Sequence, residues 1–158
     1  MYLESLIILF IGIEIGMLGT YIQIQYPLVE FISVQAPSDY INRSQIEVYQ
    51  DKFCVLVNDS RVMNYAATGS MIPVLNENAN GIEIQANKSI INIGDIVAYE
   101  NDGKFEHLND SSLIIHRVIN KKIENGIIYY LMLGDNNFNV DGWINESRIL
   151  WKTISIIY

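Results

Sequence analysis

An apolar run near the start of the chain constrains its organisation most. Residues 6–22 read LIILFIGIEIGMLGTYI, and Glu14 is their only charged residue. At about 1.5 Å per residue, a helix of this run is roughly 26 Å long, close to the hydrocarbon thickness of a bilayer. Tyr2 and Tyr26 lie near its ends, where interfacial aromatic side chains are favoured. The run therefore predicts a single transmembrane anchor over residues 1–26.

Two alternatives stay open for this run. A cleaved signal peptide has a similar apolar core, but no basic residue precedes the run and no small-x-small cleavage site follows it. A buried helix of a folded core would suit Glu14, because a charge at a bilayer centre costs about 2.5–3.5 kcal/mol. In an anchor, Glu14 would either snorkel to the interface or pair with a polar residue of a partner helix. A membrane partner subunit is therefore a further hypothesis.

Beyond the run the sequence changes character. Residues 27–50 carry Pro27, Pro37, Ser and Asn and predict a membrane-proximal connection. From residue 51 onward, segments rich in β-branched and aromatic residues recur, and none has a long 3.6-residue period. We expect a mainly β domain over residues 51–158. Its predicted parts are a hairpin of 53–57 and 61–67 about a turn at 58–60, strands at 95–100, 112–120 and 126–133, a turn at 121–125, and a strand or strand pair at 149–158.

Composition narrows the classes of partner. Ten Lys and Arg against eighteen Asp and Glu give a net charge of −8, so a basic face for nucleic acid is not expected. The single cysteine, Cys54, excludes an intramolecular disulfide, and no Cys/His cluster has zinc-ligand spacing. We therefore expect no nucleic-acid partner, no metal and no cofactor.

A candidate nucleophile lies in the segment TGSMIP, residues 68–73. Gly69 permits backbone geometry that other residues avoid, and Pro73 fixes the chain beyond it. Ser70 could present its hydroxyl there, but a serine hydroxyl is a weak nucleophile without an adjacent base. The alternative is an ordinary turn serine.

The candidate base is His116, within the apolar segment IIHRVI. An imidazole can accept a serine proton near neutral pH. The alternatives are a hydrogen-bonded core histidine at this position, or His107 as the base, although His107 lies in the polar stretch NDGKFEHLND.

Two candidate acids, Asp135 and Asp141, lie in the segment GDNNFNVDG. Either could hold an imidazole in its useful tautomer, as in a serine–histidine–aspartate triad. The segment could also be a plain turn or a calcium loop, but it lacks the twelve-residue spacing that ends in glutamate.

Taken together, these segments resemble the conserved boxes of type I signal peptidases, in the archaeal and endoplasmic-reticulum branch. The matching stretches are TGSMIP (68–73), GDIVAY (94–99), IIHRVI (114–119) and GDNNFNVD (134–141), in the family's order and after an apolar N-terminal span. Bacterial relatives use lysine where this chain has His116, so the histidine indicates the branch. The chain departs from the family pattern at Thr68, where serine is common, and at Val74, where threonine is usual.

The resemblance implies roles for individual residues. Ser70 would be the nucleophile, His116 its general base and Asp141 the acid that orients the base. Asp135 would support the site or stabilise the fold, and Asp141 is preferred over it for the triad.

The resemblance also implies a substrate and a location. Gly69, Met71 and Pro73 would contact the substrate, a preprotein carrying a signal peptide. The enzyme would be a membrane-bound serine endopeptidase that removes signal peptides, with its β domain on the extracellular or lumenal side. The alternatives are a membrane-anchored binding or accessory module without activity, a related peptidase with narrower substrates, and a soluble self-cleaving regulator, which would need a lysine in IIHRVI.

Overall fold

The computed structural model of the protein describes residues 35–101, 103, 105 and 112–158. The helices of this part of the chain are three short 3-10 turns, Arg43–Gln45, Ala86–Lys88 and Glu146–Arg148. The rest of its regular structure is β, which confirms the predicted mainly β class. The strands are β1 (Ile46–Val48), β2 (Phe53–Val55), β3 (Ser60–Asn64), β4 (Asn80–Gln85), β5 (Ile96–Glu100), β6 (Leu113–Glu124), β7 (Ile127–Leu133), β8 (Gly142–Asn145) and β9 (Ile149–Ile157).

The predicted anchor over residues 1–26 lies outside the described residues, and so does the 27–34 part of the predicted connection. Within the described ranges, no helix has the length and apolar character needed to cross a membrane.

Seven strands form one antiparallel sheet in the order β3-β4-β9-β5-β6-β7-β8, and β1 and β2 pair separately. β5 is the central strand, and four of its five residues, Ile96–Tyr99, are buried. A strand covered on both faces has a nearly continuous apolar sequence. Successive side chains of such a strand point to opposite faces. Accordingly Val97 packs in one hydrophobic cluster and Ile96 in another, which also contains Met71 and Leu75.

The predicted hairpin over residues 53–67 is wrong. β2 pairs with β1, and β3 pairs with β4, so the turn at 58–59 lies between strands of two different sheets. The physical reason is Arg61 on β3, whose Nη2 lies 2.7 Å from Oε2 of Glu83 on β4. Glu83 is fully buried and needs a cationic partner. β2 contains no cationic residue that could take this place. β4 was not predicted from the sequence because it has polar residues at its centre and ends.

The predicted turn over residues 121–125 is too long. β6 continues through Glu124, and the turn consists of Asn125 and Gly126, with φ values of 51° and 78°. Two central residues with positive φ form the type I′ turn that Asn-Gly favours in hairpins. The sequence did not indicate the true end of β6, because its last residues include the charged Lys121, Lys122 and Glu124.

Residues 36–38 of the predicted connection pack on the large sheet. The backbone N–H and the hydroxyl of Ser38 donate to Oδ1 of Asp95 at 2.8 and 2.7 Å. Oδ2 of Asp95 lies 2.8 Å from Nζ of Lys152, and both side chains are buried. A Cβ at Gly94 would lie 2.2 Å from the carbonyl oxygen of Ala36, so glycine is required where the two segments cross. This packing joins residues 36–38 to the β domain.

Candidate active site

Ser70 lies in the connection between β3 and β4. Gly69 precedes it with a φ of 73°, which glycine adopts without strain. Beyond Ser70 the chain makes one helical turn, because Val74 and Leu75 both donate their N–H groups to the Met71 carbonyl at 2.9 Å. Met71 and Leu75 are buried and anchor this turn in the core. Ser70 is therefore held on a turn whose position the core determines.

The loop between β7 and β8, residues 134–141, contacts the backbone on either side of Ser70. The Asn136 N–H donates to the Ser70 carbonyl at 2.8 Å, and its Nδ2 donates to the Gly69 carbonyl at 3.1 Å. A Cβ at Gly134 would lie 2.7 Å from the Ser70 carbonyl oxygen, so the close approach requires glycine. The loop that carries both candidate acids is thereby held against the candidate nucleophile.

His116 on β6 connects the hydroxyl to a carboxylate. Its Nε2 lies 3.0 Å from Oγ of Ser70, and its Nδ1 lies 2.5 Å from Oδ2 of Asp141. An ionised carboxylate only accepts hydrogen bonds, so Nδ1 carries the proton and Nε2 is free to accept one from the hydroxyl. The side chains of His116 and Asp141 are 5% and 3% exposed. The three groups are aligned in the order that proton transfer needs.

Besides His116, a backbone group and the Tyr99 hydroxyl contact Asp141 among the described residues. Its backbone N–H donates to the Met132 carbonyl at 2.9 Å, and its Oδ2 accepts the hydroxyl of Tyr99 at 2.6 Å. Burial raises the pKa of Tyr99 far above its ordinary value of 10.0, and the neighbouring Asp141 carboxylate raises it further. The hydroxyl is therefore a permanent donor to the carboxylate.

Asp135 is turned to the other face of β6. Its two oxygens accept Nε and Nη2 of Arg117 at 2.7 and 2.6 Å, and Nη1 of Arg117 donates to the Gly94 carbonyl at 2.7 Å. Arg117 and Asp135 are 5% and 8% exposed. Of the two aspartates considered from the sequence, Asp141 contacts His116, and Asp135 forms a buried bidentate ion pair.

A cavity of about 230 Å³ opens beside Ser70 and His116. Its walls are mostly apolar and include Tyr65, Leu75, Phe105, Leu113, Ile114 and Ile115. Phe105 is held there by Asn101, whose carboxamide makes two 3.1 Å hydrogen bonds to the Phe105 backbone. A cleft of this size and lining suits small apolar side chains of a ligand.

The residues predicted to contact a substrate divide between this cavity and its surroundings. Gly69 and Met71 line the cavity. Pro73 is not among the described lining residues, and its carbonyl oxygen instead lies 3.4 Å from the hydroxyl of Tyr158. His107, the alternative base, lies outside the described residues.

The described residues contain no group of three or more His, Cys, Asp or Glu side chains that could hold a metal ion. The calcium-loop alternative required the oxygens of residues 134–141 to converge on one point. Instead, Asp135 faces Arg117 and Asp141 faces His116, on opposite sides of β6.

No protein-family model matches the chain, and a search of curated proteins finds no significant match.

Sequence reasoning gave no role to three residues that shape the site. Tyr99 lies in the segment GDIVAY, two residues after Val97. Because side chains alternate along a strand, this spacing indicates that Tyr99 and Val97 share one face of the sheet. Thr68 has no predicted role, yet its Oγ1 lies 3.2 Å from Oγ of Ser70. Asn136 had no signal, because its role depends on how two distant segments pack.

Proposed function

We propose that the protein is a membrane-bound serine endopeptidase that removes signal peptides from translocated preproteins. The observation that carries this proposal is the alignment of Ser70, His116 and Asp141, at 3.0 and 2.5 Å, from three separate segments. The resemblance of those segments to signal peptidase boxes supports the choice of substrate.

The chemistry is acyl transfer. Oγ of Ser70 attacks the scissile carbonyl carbon while Nε2 of His116 takes its proton, and Asp141 stabilises the imidazolium that forms. The imidazolium then gives that proton to the leaving amine, which departs with the mature chain and leaves an ester on Ser70. Water attacks the ester with His116 again as base, and the released acid and free Ser70 complete the cycle.

Donors for the tetrahedral intermediate are available beside Oγ. The Thr68 hydroxyl lies 3.2 Å from Oγ of Ser70, and the Ser70 N–H lies 3.4 Å from Oγ1 of Thr68. Hydrogen bonds from such donors to the oxyanion contribute about 3–4 kcal/mol each in other hydrolases. These two groups are the candidates for that role here.

The first half of β6 supports an extended peptide as ligand. β7 pairs with β6 only from Arg117 onward, so Leu113–His116 has β5 on one side and the cavity on the other. The Asn101 N–H donates to the Ser112 carbonyl, and the alternation of an antiparallel ladder then directs the main-chain groups of Leu113 and Ile115 toward the cavity. A substrate strand could pair with these groups and direct alternate side chains into the cleft.

The anchor predicted over residues 1–26 completes the proposal. A signal peptide is itself apolar and membrane-embedded, so an enzyme in the same bilayer meets it at a high effective concentration. In this proposal the β domain lies on the extracellular or lumenal side, where the cleavage site emerges.

The test uses the full chain in detergent or liposomes with a preprotein of known signal peptide. The wild type is expected to release the signal peptide and to react with a fluorophosphonate at Ser70. Ser70→Ala is expected to abolish both. Ser60→Ala is the matched control, because the Ser60 hydroxyl is exposed on β3 and, among the described residues, donates to the nearby Val57 carbonyl.

Two results would contradict the proposal. Processing by Ser70→Ala at the wild-type rate would exclude Ser70 as the nucleophile. A wild-type protein that neither cleaves nor reacts with the fluorophosphonate would favour the binding or accessory module instead.

A further inference from the structure

Tyr99 and His116 contact the same oxygen atom. The Tyr99 hydroxyl lies 2.6 Å from Oδ2 of Asp141, and Nδ1 of His116 lies 2.5 Å from that oxygen. Tyr99 has no exposed surface and is among the largest fully buried side chains of the described residues. A buried hydroxyl directed at a candidate triad carboxylate calls for an explanation beyond core packing.

The sheet register accounts for this convergence. His116 pairs with Val97 and Ile114 pairs with Tyr99, so Tyr99 and His116 occupy the same face of adjacent strands. The β7–β8 loop crosses that face and brings Asp141 to the ends of both rings. Arg117, the next residue of β6, points to the opposite face and binds Asp135 there.

We propose that Tyr99 is a positioning residue of the site, which fixes the direction of the Asp141 carboxylate and thereby the His116 ring. This inference rests on the proposed hydrolase function. The phenol donates a hydrogen bond to Oδ2 and so offsets part of the negative charge on that oxygen. The same contact leaves Nε2 of His116 directed at Ser70.

A positioning role and a merely structural role for Tyr99 predict different effects when its hydroxyl is removed. A structural hydrogen bond would affect the stability of the fold alone. A positioning contact also sets how strongly the carboxylate stabilises the imidazolium. Without the phenol, Oδ2 carries more charge, and the protonated ring becomes more stable. Among the described residues, Asp141 and Ser70 contact the ring directly, and Tyr99 acts on it through Asp141.

The variant Tyr99→Phe removes the hydroxyl and keeps the ring. The matched control is Tyr130→Phe, because Tyr130 is also buried and its hydroxyl donates only weakly, at 3.5 Å, to the Ile91 carbonyl. Two properties of the full chain in detergent would be measured across pH. One is the rate at which a fluorophosphonate reacts with Ser70, and the other is the titration of the His116 ring by NMR, with His107 as the second histidine signal.

For Tyr99→Phe we expect Ser70 to react roughly tenfold more slowly at the pH of maximal wild-type rate. We expect the His116 titration, and the acid limb of reactivity, to move to higher pH by roughly half a unit or more. Tyr130→Phe is expected to match the wild type in both. Unchanged titration in Tyr99→Phe, or an equal change in Tyr130→Phe, would overturn the inference.

The two proposals can fail separately. If the wild type neither cleaves preproteins nor reacts with the fluorophosphonate, the proposed function fails. In that case the His116 titration still decides whether Tyr99 acts on Asp141: a shift confined to Tyr99→Phe supports the contact, and identical titrations refute it.

Discussion

Two neighbouring residues of β6 bind the two aspartates of one loop, on opposite faces of the strand. On one face Nδ1 of His116 lies 2.5 Å from Asp141, and on the other Nη2 of Arg117 lies 2.6 Å from Asp135. All four side chains are at most 8% exposed. The pairs are therefore alike in origin, distance and burial, and they differ in the chemistry of the basic partner.

That difference separates a structural contact from a reactive one. Arg117 is always charged, and its bidentate fork uses both oxygens of Asp135, so no proton can pass through the pair. His116 has a second ring nitrogen, which faces Ser70, and an imidazole, unlike a guanidinium, can accept and release a proton during a reaction. We call the Arg117–Asp135 pair closed because, within the described part of the chain, its charged groups hydrogen-bond to no group that could react, whereas the His116–Asp141 pair is hydrogen-bonded to the Ser70 hydroxyl.

The largest expected effect comes from Asp141→Asn. The amide keeps the size of the side chain but can donate to Nδ1, which favours the wrong imidazole tautomer. The equivalent change in other triads lowers kcat by about 10⁴-fold, and we expect a similar loss here. The measurement is the cleavage rate of a preprotein, with urea unfolding followed by tryptophan fluorescence as the stability control. Activity within tenfold of wild type would contradict a triad role for Asp141.

Asp135→Asn should lower the stability of the fold strongly and the activity only slightly, the reverse of Asp141→Asn. It leaves Arg117 buried without its counter-ion, and loss of one partner of a buried pair costs about 3–5 kcal/mol of unfolding free energy. Activity per folded molecule should stay within several-fold of wild type.

The double variant Arg117→Met/Asp135→Leu sharpens this comparison. Since apolar replacement of both partners of a buried pair is often neutral, we expect it to unfold at higher urea concentration than Asp135→Asn. Equal destabilisation by both variants would show that the pair contributes more than charge compensation.

A second closed pair, Asp95–Lys152, predicts acid sensitivity of the fold. Burial alone would raise the pKa of Asp95, but the Lys152 ammonium and the hydrogen bonds from Asn92 and Ser38 outweigh burial and lower it below its ordinary value of 3.8. A lowered pKa stabilises the fold fully above the unfolded value, and this stabilisation is lost as the pH falls through the folded pKa.

The pH dependence can be assigned with Asp95→Asn. Each unit by which the pKa is lowered is worth about 1.4 kcal/mol, so the unfolding free energy of the wild type, measured with urea, should fall by about that amount for each pH unit between about pH 4 and the lower pKa of the folded protein. Asp95→Asn should have a flatter dependence in the same range. Parallel pH dependences of the two proteins would assign the acid sensitivity to other carboxyl groups.

How far the sequence could predict this molecule depends on the range of the interaction. The mainly β class and the strand of β5 followed from local composition, since consecutive buried residues such as Ile96 and Val97 have a distinctive pattern. The 53–67 hairpin failed because the Arg61–Glu83 ion pair, between residues far apart in sequence, determines which strand β3 joins.

The candidate site divides in the same way. Ser70, His116 and both aspartates could be named from their segments, because those segments place polar groups beside glycine or within apolar strands. The family resemblance favours Asp141 but does not show which carboxylate reaches His116. That depends on the register of β6 with β7 and on the path of the loop between β7 and β8.

The smallest expected effect is that of Tyr65→Phe, which completes the comparison of partnered and unpartnered groups. Tyr65 lines the cavity, and its buried hydroxyl lies near Thr153 but makes no hydrogen bond of normal geometry among the described residues. Burial raises the pKa of Tyr65 to about 12 against an opposing contribution from Thr153, so the hydroxyl stays protonated at physiological pH. Removing a hydroxyl without a well-formed hydrogen bond should change the unfolding free energy by less than about 0.5 kcal/mol and reactivity at Ser70 by less than about twofold. A loss as large as that of Tyr99→Phe would mean that the Tyr65 hydroxyl contacts the substrate, and the cleft would then recognise a polar group as well as small apolar ones.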